Sequence, residues 1–389
     1  MTQAELQRQL DILLASFYEI DEYFITKIAT QIAEIGELTA STMNMIEVWS
    51  SMYEDISTIN RRIAQAANVT APQLHTLYQR ALNDVYRDER FERALKETEL
   101  PDSSRRALER YTESMSRQSI NTMQNYANTT AVSQTYVQTV DKAILAVSSG
   151  LTDYSSAMRQ SIRELGSNGL QVVYESGVRR RLDTALRQNI VDGVHQIQQH
   201  ASDVISEDLG YDAKEISVHA NSAPDHEPVQ GHVFMLDEFD HLQNDEAAKD
   251  IDGRFYPAMK RAIGEWNCMH FAFGFSTKYS KRKYTNEQLD EFARKNAEGC
   301  EIDGKHYSLY EASQLMRKIE TEIRRQKDIG VAAQAAGDDA LRQEAQEKIN
   351  ALSAKYGQVA KTSGLAERRD RMRVEGFKMY KPPKQPKRA

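Results

Sequence analysis

Cysteine, proline and long apolar runs are all scarce in this sequence, and each scarcity excludes a class of protein. The two cysteines, Cys268 and Cys300, are too few for a disulfide scaffold and suggest a reducing compartment. Eight prolines, with long stretches free of both proline and glycine, favour helices over a β-sandwich. No apolar run reaches the roughly 18 residues of a transmembrane helix. The first residues also lack the basic and apolar segments of a secretory signal, so we expect neither export nor a membrane partner.

The charges are distributed unevenly along the chain. The net charge is −7, and the hydrophobic fraction of 40% is enough to bury a core in a chain of 389 residues. Residues 1–60 carry ten acidic and two basic side chains, whereas residues 366–389 carry nine basic and three acidic ones. An acidic head and a basic tail indicate different partners for the two ends.

Apolar residues recur every three or four positions over most of the first 205 residues, as they do on one face of a helix. The first such set is Leu6, Leu10, Leu13, Phe17, Ile20, Phe24, Ile28 and Ile32. It predicts a helix over residues 4–35 whose apolar face packs in a bundle. Thr70 and Pro72 have the pattern of a helix start, so we predict that one helix ends near residue 66 and another begins at residue 70. Further helices are predicted at 102–126, 132–148, 154–165 and 170–205.

The pattern changes after Gly210. Residues 215–220 alternate as a half-buried strand does, residues 233–236 are a second candidate strand, and residues 303–304 are an Asp-Gly hairpin turn. Ser308 and Glu311 form a capping box before a helix, and another helix follows Gly337. We therefore predict a mainly α protein with a long helical N-terminal region (1–205), a small α+β central module (206–308), a helical C-terminal arm (309–365) and a disordered basic tail (366–389).

Histidine and cysteine are concentrated in the central module. Seven of the nine histidines lie between His195 and His270. A thiolate and several imidazoles in one small module suit a structural zinc ion, and the predicted ligands are His219, His226, Cys268 and His270. The alternative is that these groups hydrogen-bond one another and the backbone around them.

Two catalytic interpretations are weaker. Cys268 and a nearby histidine have the parts of a nucleophile and its base, but a buried structural thiol is the better interpretation because no neighbour marks Cys268 as activated. The acidic run from Asp237 to Asp250 could bind a hard metal in a hydrolase or nuclease, but a solvated loop is the better interpretation. No Gly-rich phosphate loop occurs.

Two basic segments are candidates for partner contacts. Arg179, Asp183 and Arg187 are four residues apart on a predicted helix, where they form either an intrahelical ion-pair ladder or a contact surface. The tail carries Lys381, Lys384, Lys387 and Arg388, which proline and glutamine separate. Such an extended basic segment suits DNA phosphates or an acidic protein surface.

An ordered set of short strings runs through the second half of the chain. These are Arg179 to Ala185, Arg187 to Val194, Ser217 to Ala220, Pro224 to His226, Gln230 to Phe234, Trp266-Asn267-Cys268-Met269-His270, and Tyr307 to Gln314. Their order and separation over residues 160–375 resemble the phage minor capsid protein family, related to the Mu F-like and SPP1-like head morphogenesis proteins. Gly231, Trp266 and Asn267 belong to these strings as structural positions. Ala223 and Val229 depart from the pattern, which has a basic and an aromatic residue there.

The resemblance implies a non-enzymatic structural protein of the virion. Such a protein lies inside the capsid near the portal, contacts the portal or the major capsid protein, and acts in head assembly and in the handling of packaged DNA. It would be in the host cytoplasm during assembly. The rival is a metal-dependent hydrolase or nuclease built on the His/Cys/Asp module. A nucleic-acid-binding regulator of the host is a third interpretation, which the acidic N-terminus disfavours.

Overall fold

The computed structural model describes most of the chain. The described residues are 1, 3–37, 45–128, 136–142, 145, 154–174, 176–259, 261–264, 268 and 270–382. Trp266, Asn267, Lys384, Lys387 and Arg388 lie outside them, as do parts of the helix predicted at 132–148. Over the described ranges the protein is mainly helical with small antiparallel sheets, which confirms the predicted fold class.

The helices, in chain order, are α1 Gln3–Glu37, α2 Met45–Tyr86, α3 Glu89–Glu97, α4 Asp102–Asn128, α5 Tyr154–Asn168, α6 Leu182–Asp208, α7 Leu236–Gln243, α8 Asn286–Glu298, α9 Leu309–Ala335 and α10 Asp339–Ser363. Residues 136–142 are also helical. The strands are β1 Gln171–Val173, β2 Arg179–Arg181, β3 Ala213–Ile216, β4 Val233–Met235, β5 Ala248–Lys249, β6 Phe255–Tyr256, β7 Ala272–Phe275, β8 Cys300–Ile302 and β9 Lys305–Tyr307. In the part of the chain that the structure describes, no helix combines the length and apolar character needed to cross a bilayer.

The chain forms two compact units that alternate along the sequence. Unit 1 contains Met1–Leu10, Ala71–Ser119 and Gln188–Gln314, and unit 2 contains Asp11–Thr70, Ile120–Arg187 and Leu315–Ala389. The four consecutive regions predicted from the sequence stay a prediction.

Unit 1 is built around a three-stranded sheet of order β4-β3-β7, in which both pairings are antiparallel. One core cluster joins the sheet to α7 and to the segment before β7: Ile216, Val229, Phe234, Phe239, Leu242, Ala248, Tyr256, Met259, Ile263 and Ala272. Burial of each valine, leucine, isoleucine, phenylalanine or methionine side chain among them contributes about 1.5–3 kcal/mol. The sheet therefore fixes the loops at its ends, and the candidate site lies on those loops.

Unit 2 is mainly helical, and the predicted apolar face of α1 is buried within it. Phe17, Phe24, Ile28 and Ile32 are each at most 1% exposed. A buried polar contact also fixes the helices, because the Tyr136 hydroxyl donates to Gln31 Oε1 of α1 at 2.6 Å. The helix predicted at 4–35 is thus confirmed.

The helix start predicted at Thr70 is wrong, because α2 continues through Pro72 to Tyr86. The Thr70 hydroxyl donates to the Leu13 carbonyl at 3.4 Å instead of capping a helix. Thr70 is also only 3% exposed. A proline inside a helix removes one backbone hydrogen bond, and here the buried side chains on both sides of it keep the helix continuous.

The helix predicted from residue 170 is also wrong at its beginning. Strands β1 and β2 pair antiparallel instead, with Val173 opposite Arg179 and Gln171 opposite Arg181, and α6 begins only at Leu182. Arg179 therefore shares no helix face with Asp183. The intrahelical ladder does not form, because Asp183 bonds Arg324 and Arg187 bonds Asp11 at 2.8 Å. Arg181 also forms tertiary ion pairs, with Asp21 and Asp328.

Signals confined to a few neighbouring residues are confirmed. Asp303 and Gly304 have φ angles of 52° and 73° and form the turn between β8 and β9. Glu311 N donates to Ser308 Oγ at 3.1 Å and Ser308 N donates to Glu311 Oε2 at 2.9 Å, so the capping box is complete. The strand predicted at 233–236 is β4, and the one predicted at 215–220 lies earlier, at 213–216.

The first part of the basic tail has defined contacts in unit 2. Arg368 N donates to the Tyr356 hydroxyl at 2.7 Å, and Lys327 Nζ donates to the Met372 carbonyl at 2.6 Å. Met372 is 6% exposed. The composition predicts a disordered tail, but one buried methionine and a few backbone hydrogen bonds anchor the first part of this otherwise polar segment.

Candidate metal centre

Two segments that leave the same end of the central sheet form the candidate site. Ile216 ends β3 and pairs with Ala272, the first residue of β7. Because β3 and β7 are antiparallel, the loop that follows β3 starts beside the end of the segment that leads into β7. The loop carries His226 and Gln230, and the segment carries Cys268 and His270.

Three of the four predicted ligands come together there. Cys268 Sγ lies 3.2 Å from His226 Nδ1 and 3.6 Å from His270 Nδ1. The ligand atoms of all three residues lie within 4.8 Å of one another. The residues are buried, with exposures of 1% for His226, 3% for Cys268 and 5% for His270. A thiol and two imidazoles therefore meet at one point inside unit 1.

The outer nitrogen of each imidazole faces an oxygen atom. His226 Nε2 lies 2.8 Å from the Arg261 carbonyl oxygen. His270 Nε2 lies 3.3 Å from Ser222 Oγ and 3.5 Å from Gln230 Oε1. Such contacts fix the orientation of an imidazole ring, as they do around metal-bound histidines.

Burial and mutual hydrogen bonding shift the ionisation of the three groups. Burial favours the neutral form of both Cys268 and His226, but the hydrogen bonds and charges around each group together outweigh it. The pKa of the thiol is therefore lowered and the pKa of the imidazole raised, with the hydrogen bond between the two side chains as the main opposing contribution. Burial and the neighbouring imidazoles lower the pKa of His270 to about 3. The environment therefore favours a neutral His270 and eases deprotonation of Cys268, the forms in which these side chains bind metals.

His219, the fourth predicted ligand, lies beside this group without joining it. Its ring centroid is 4.6 Å from that of His270, and its Nε2 is 3.4 Å from Ser217 Oγ. Its backbone N–H donates to Gln230 Oε1 at 2.9 Å. His219 is thus held at the edge of the site.

Gly231 shapes the loop that carries His226. Its φ is 73°, and a Cβ atom there would lie 2.4 Å from Leu289 Cδ2. A side chain at this position would be strained and would clash with α8.

A second buried polar group, which was not predicted from the sequence, lies in the same unit. Asp250 Oδ2 accepts from His232 Nδ1 at 2.9 Å and from the Tyr256 hydroxyl at 3.0 Å. Asp250 was expected in a solvated loop, yet it is 6% exposed because these donors and the loop amides satisfy it. His232 and Asp250 are 18 residues apart, so only the fold shows that they meet.

The arrangement suits a structural centre better than a catalytic one. A nucleophile must reach its substrate, and Cys268 is 3% exposed between two buried imidazoles. Among the described residues, only His226, Cys268 and His270 form a group of three or more His, Cys, Asp or Glu side chains close enough together to bind one metal ion. The acidic run from Asp237 to Asp250 forms no such group within those residues.

The predicted DNA-binding residues lie in the C-terminal segment, of which Lys381 is described and exposed. Each of the four arginines before it has an acidic partner: Arg368 with Asp370, Arg369 with Glu367, Arg371 with Glu320 and Arg373 with Glu375. Among the described residues, the positive charge of the segment is therefore least neutralised at Lys378 and Lys381.

The model of the family described as phage minor capsid protein 2 matches residues 1–359. No curated protein and no solved structure matches the chain. The family match includes all of the candidate site and ends before the basic tail.

Proposed function

Because the chain belongs to the phage minor capsid protein 2 family, we propose that it lies inside the phage head near the portal, where it acts in head assembly and in the handling of packaged DNA. Family membership makes it a structural component of the virion. The match over residues 1–359 is the observation that carries the proposal, since it spans nearly the whole chain.

The acidic N-terminal helices are the proposed contact with the portal or the major capsid protein. Part of their charge is used inside unit 2, where Asp11 bonds Arg187. Glu19 of α1 and Glu54 of α2 remain exposed. Ile12 is 58% exposed on α1 and lies seven residues, or about two turns, before Glu19, so both are on the same helix face. Exposed apolar and acidic groups on one helix face suit a protein partner that offers basic and apolar groups.

Cross-linking of purified phage heads followed by mass spectrometry tests this position. We expect cross-links from α1 and α2 to the portal or to the inner surface of the major capsid protein, and protection from protease until the head is opened. A Glu19→Lys/Glu54→Lys variant should be incorporated less. The matched control is Glu301→Lys, at an exposed position of β8. Protease-accessible protein in intact heads would contradict the proposed location.

The basic end of the chain is the proposed DNA contact. Lys378 and Lys381 form no ion pair with the described residues, and Lys384, Lys387 and Arg388 follow them in the sequence. Five cations on an extended segment can neutralise about five phosphates, which makes the affinity fall about 10²- to 10³-fold between 50 and 200 mM salt. The base sequence should not matter, because phosphate contacts carry no sequence information.

A charge variant tests this contact without removing the packed part of the segment. Changing all five residues to glutamine should abolish the salt-dependent DNA binding of the full chain. The control changes Lys278 and Lys281, which are exposed in unit 1, and should retain it. If the five-residue variant and the natural protein bind DNA equally, the tail is not the DNA contact and docking on an acidic protein surface replaces it.

We assign no catalytic role to the chain. The buried Cys268 and the two imidazoles beside it support a structural centre, so no DNA cleavage is expected with either Mg²⁺ or Zn²⁺ present. Reproducible cleavage by the purified protein that a His226→Ala variant lacks would favour the hydrolase or nuclease interpretation instead.

A further inference from the structure

The spacing of the three buried side chains agrees with the edges of a coordination tetrahedron. A tetrahedral zinc ion with Zn–S near 2.3 Å and Zn–N near 2.0–2.1 Å places sulfur and nitrogen about 3.6 Å apart. Cys268 Sγ lies 3.2 Å from His226 Nδ1 and 3.6 Å from His270 Nδ1. One ion can therefore reach all three atoms with only small side-chain movements.

In the protonation states that bind metals, both imidazoles present the lone pair of their inner nitrogen to Cys268. The Arg261 carbonyl can only accept, so His226 Nε2 carries a hydrogen and neutral His226 presents the Nδ1 lone pair to Cys268. In the tautomer in which His270 Nε2 donates to Gln230 Oε1, which also accepts from the His219 backbone N–H, His270 Nδ1 presents its lone pair to Cys268 as well. In these protonation states the single S–H of Cys268 cannot satisfy two Nδ1 lone pairs at once. A cation bound by all three atoms satisfies every one of them.

We propose that Cys268 Sγ, His226 Nδ1 and His270 Nδ1 bind one Zn²⁺ ion. A thiolate with two imidazoles is a donor set that zinc takes in structural sites, and it suits Mg²⁺ and Ca²⁺ poorly. Zinc has four ligands in such sites, and His219 is the nearest further imidazole, its ring centroid 4.6 Å from that of His270.

The ion would join two segments that the sheet alone does not connect. His226 belongs to the loop between β3 and β4, and Cys268 to the segment between β6 and β7. They are 42 residues apart in the chain. Cross-linking them would stabilise the folded module by mass action, since the unfolded chain holds no preformed site.

Elemental analysis of the full-length protein, purified without chelator or added metal, tests the proposal. We expect about one zinc per chain. Cys268→Ser should lose the metal, whereas Cys300→Ser, at a part-exposed position of β8, should keep it. His226→Ala should also lose it, and His241→Ala, at an exposed position of α7, is the matched control.

Two measurements on the natural protein test zinc binding even if the Cys268 variant fails to fold. Removal of the metal by a chelator should lower the melting temperature, and zinc should restore it. Cobalt substitution should produce the absorption bands of a tetrahedral site with a thiolate ligand. Folded protein that takes up neither metal, or zinc retained in the Cys268→Ser variant, would overturn the proposal.

Discussion

Replacing Arg181 with methionine should be among the most destabilising single changes in unit 2. The guanidinium of this β2 residue bonds Asp21 of α1 and Asp328 of α9, the latter at 2.6 Å. The Arg181 side chain is 18% exposed and the Asp328 side chain 3% exposed. Methionine has a similar length without the charge, so the substitution would leave two carboxylates together with no cation between them.

The expected size follows from the burial of this group. Removing one partner of a buried ion pair costs about 3–5 kcal/mol, because the remaining charge stays desolvated. Burial and the nearby Asp21 raise the pKa of Asp328 to about 7 even with Arg181 present. In the variant Asp328 can relieve the repulsion by binding a proton, so the loss should be smaller at pH 5 than at pH 8.

Urea unfolding followed by circular dichroism at both pH values measures this loss. Arg179→Met is the matched control, since Arg179 lies on the same strand and is exposed. It should change the unfolding free energy by less than about 0.5 kcal/mol. Adding Asp328→Leu to Arg181→Met should recover part of the loss. Equal effects of Arg181→Met and Arg179→Met would refute the reasoning.

Three further predictions concern single positions. A Cβ atom at Gly193 would lie 2.1 Å from the Tyr78 hydroxyl, so Gly193→Ala should cost about 1–3 kcal/mol in urea unfolding and Tyr78→Phe should recover part of it. The raised pKa of Asp328 means that the folded protein binds this proton more tightly than the unfolded chain does. The resulting stabilisation is complete below about pH 4 and is lost as the pH rises toward 7. The unfolding free energy of the natural protein should therefore fall relative to that of Asp328→Asn as the pH rises from about 5 to 7. The Tyr356 hydroxyl donates to the buried Glu320, so Tyr356→Phe should cost about 1–3 kcal/mol, and an unchanged unfolding curve would contradict this.

Elements whose signals lie within one or two helical turns could be predicted from the sequence. The apolar face of α1, the capping box at Ser308 and the hairpin turn at Asp303 each depend on residues at most a few positions apart. Their backbone geometry is decided locally, because the side chains that satisfy the backbone are sequence neighbours. The mainly α class follows from many such local signals, and the family resemblance follows from the order of several short strings along the chain.

Elements decided by distant partners could not be predicted in the same way. The proline signal at Pro72 indicated a helix start, yet burial of the residues around it keeps α2 continuous. Arg187 was predicted to lie in a helical charge ladder with Asp183, yet its acidic partner Asp11 is 176 residues away. Local propensity is worth a few tenths to one kcal/mol for most residues and about 3 kcal/mol for proline, and the sum of buried tertiary contacts outweighs it.

The candidate metal centre combines both kinds of information. Its composition was visible in the sequence, since Cys268 and several histidines are concentrated in one module. The tertiary structure selected His226 and His270 as the partners of Cys268 and left His219 at the edge. That selection depends on the antiparallel pairing of β3 with β7, which brings together two segments 42 residues apart. The sequence determined which chemical groups are available, and strand pairing decided which of them meet, because a bond to a ligand atom requires positions within a few ångström.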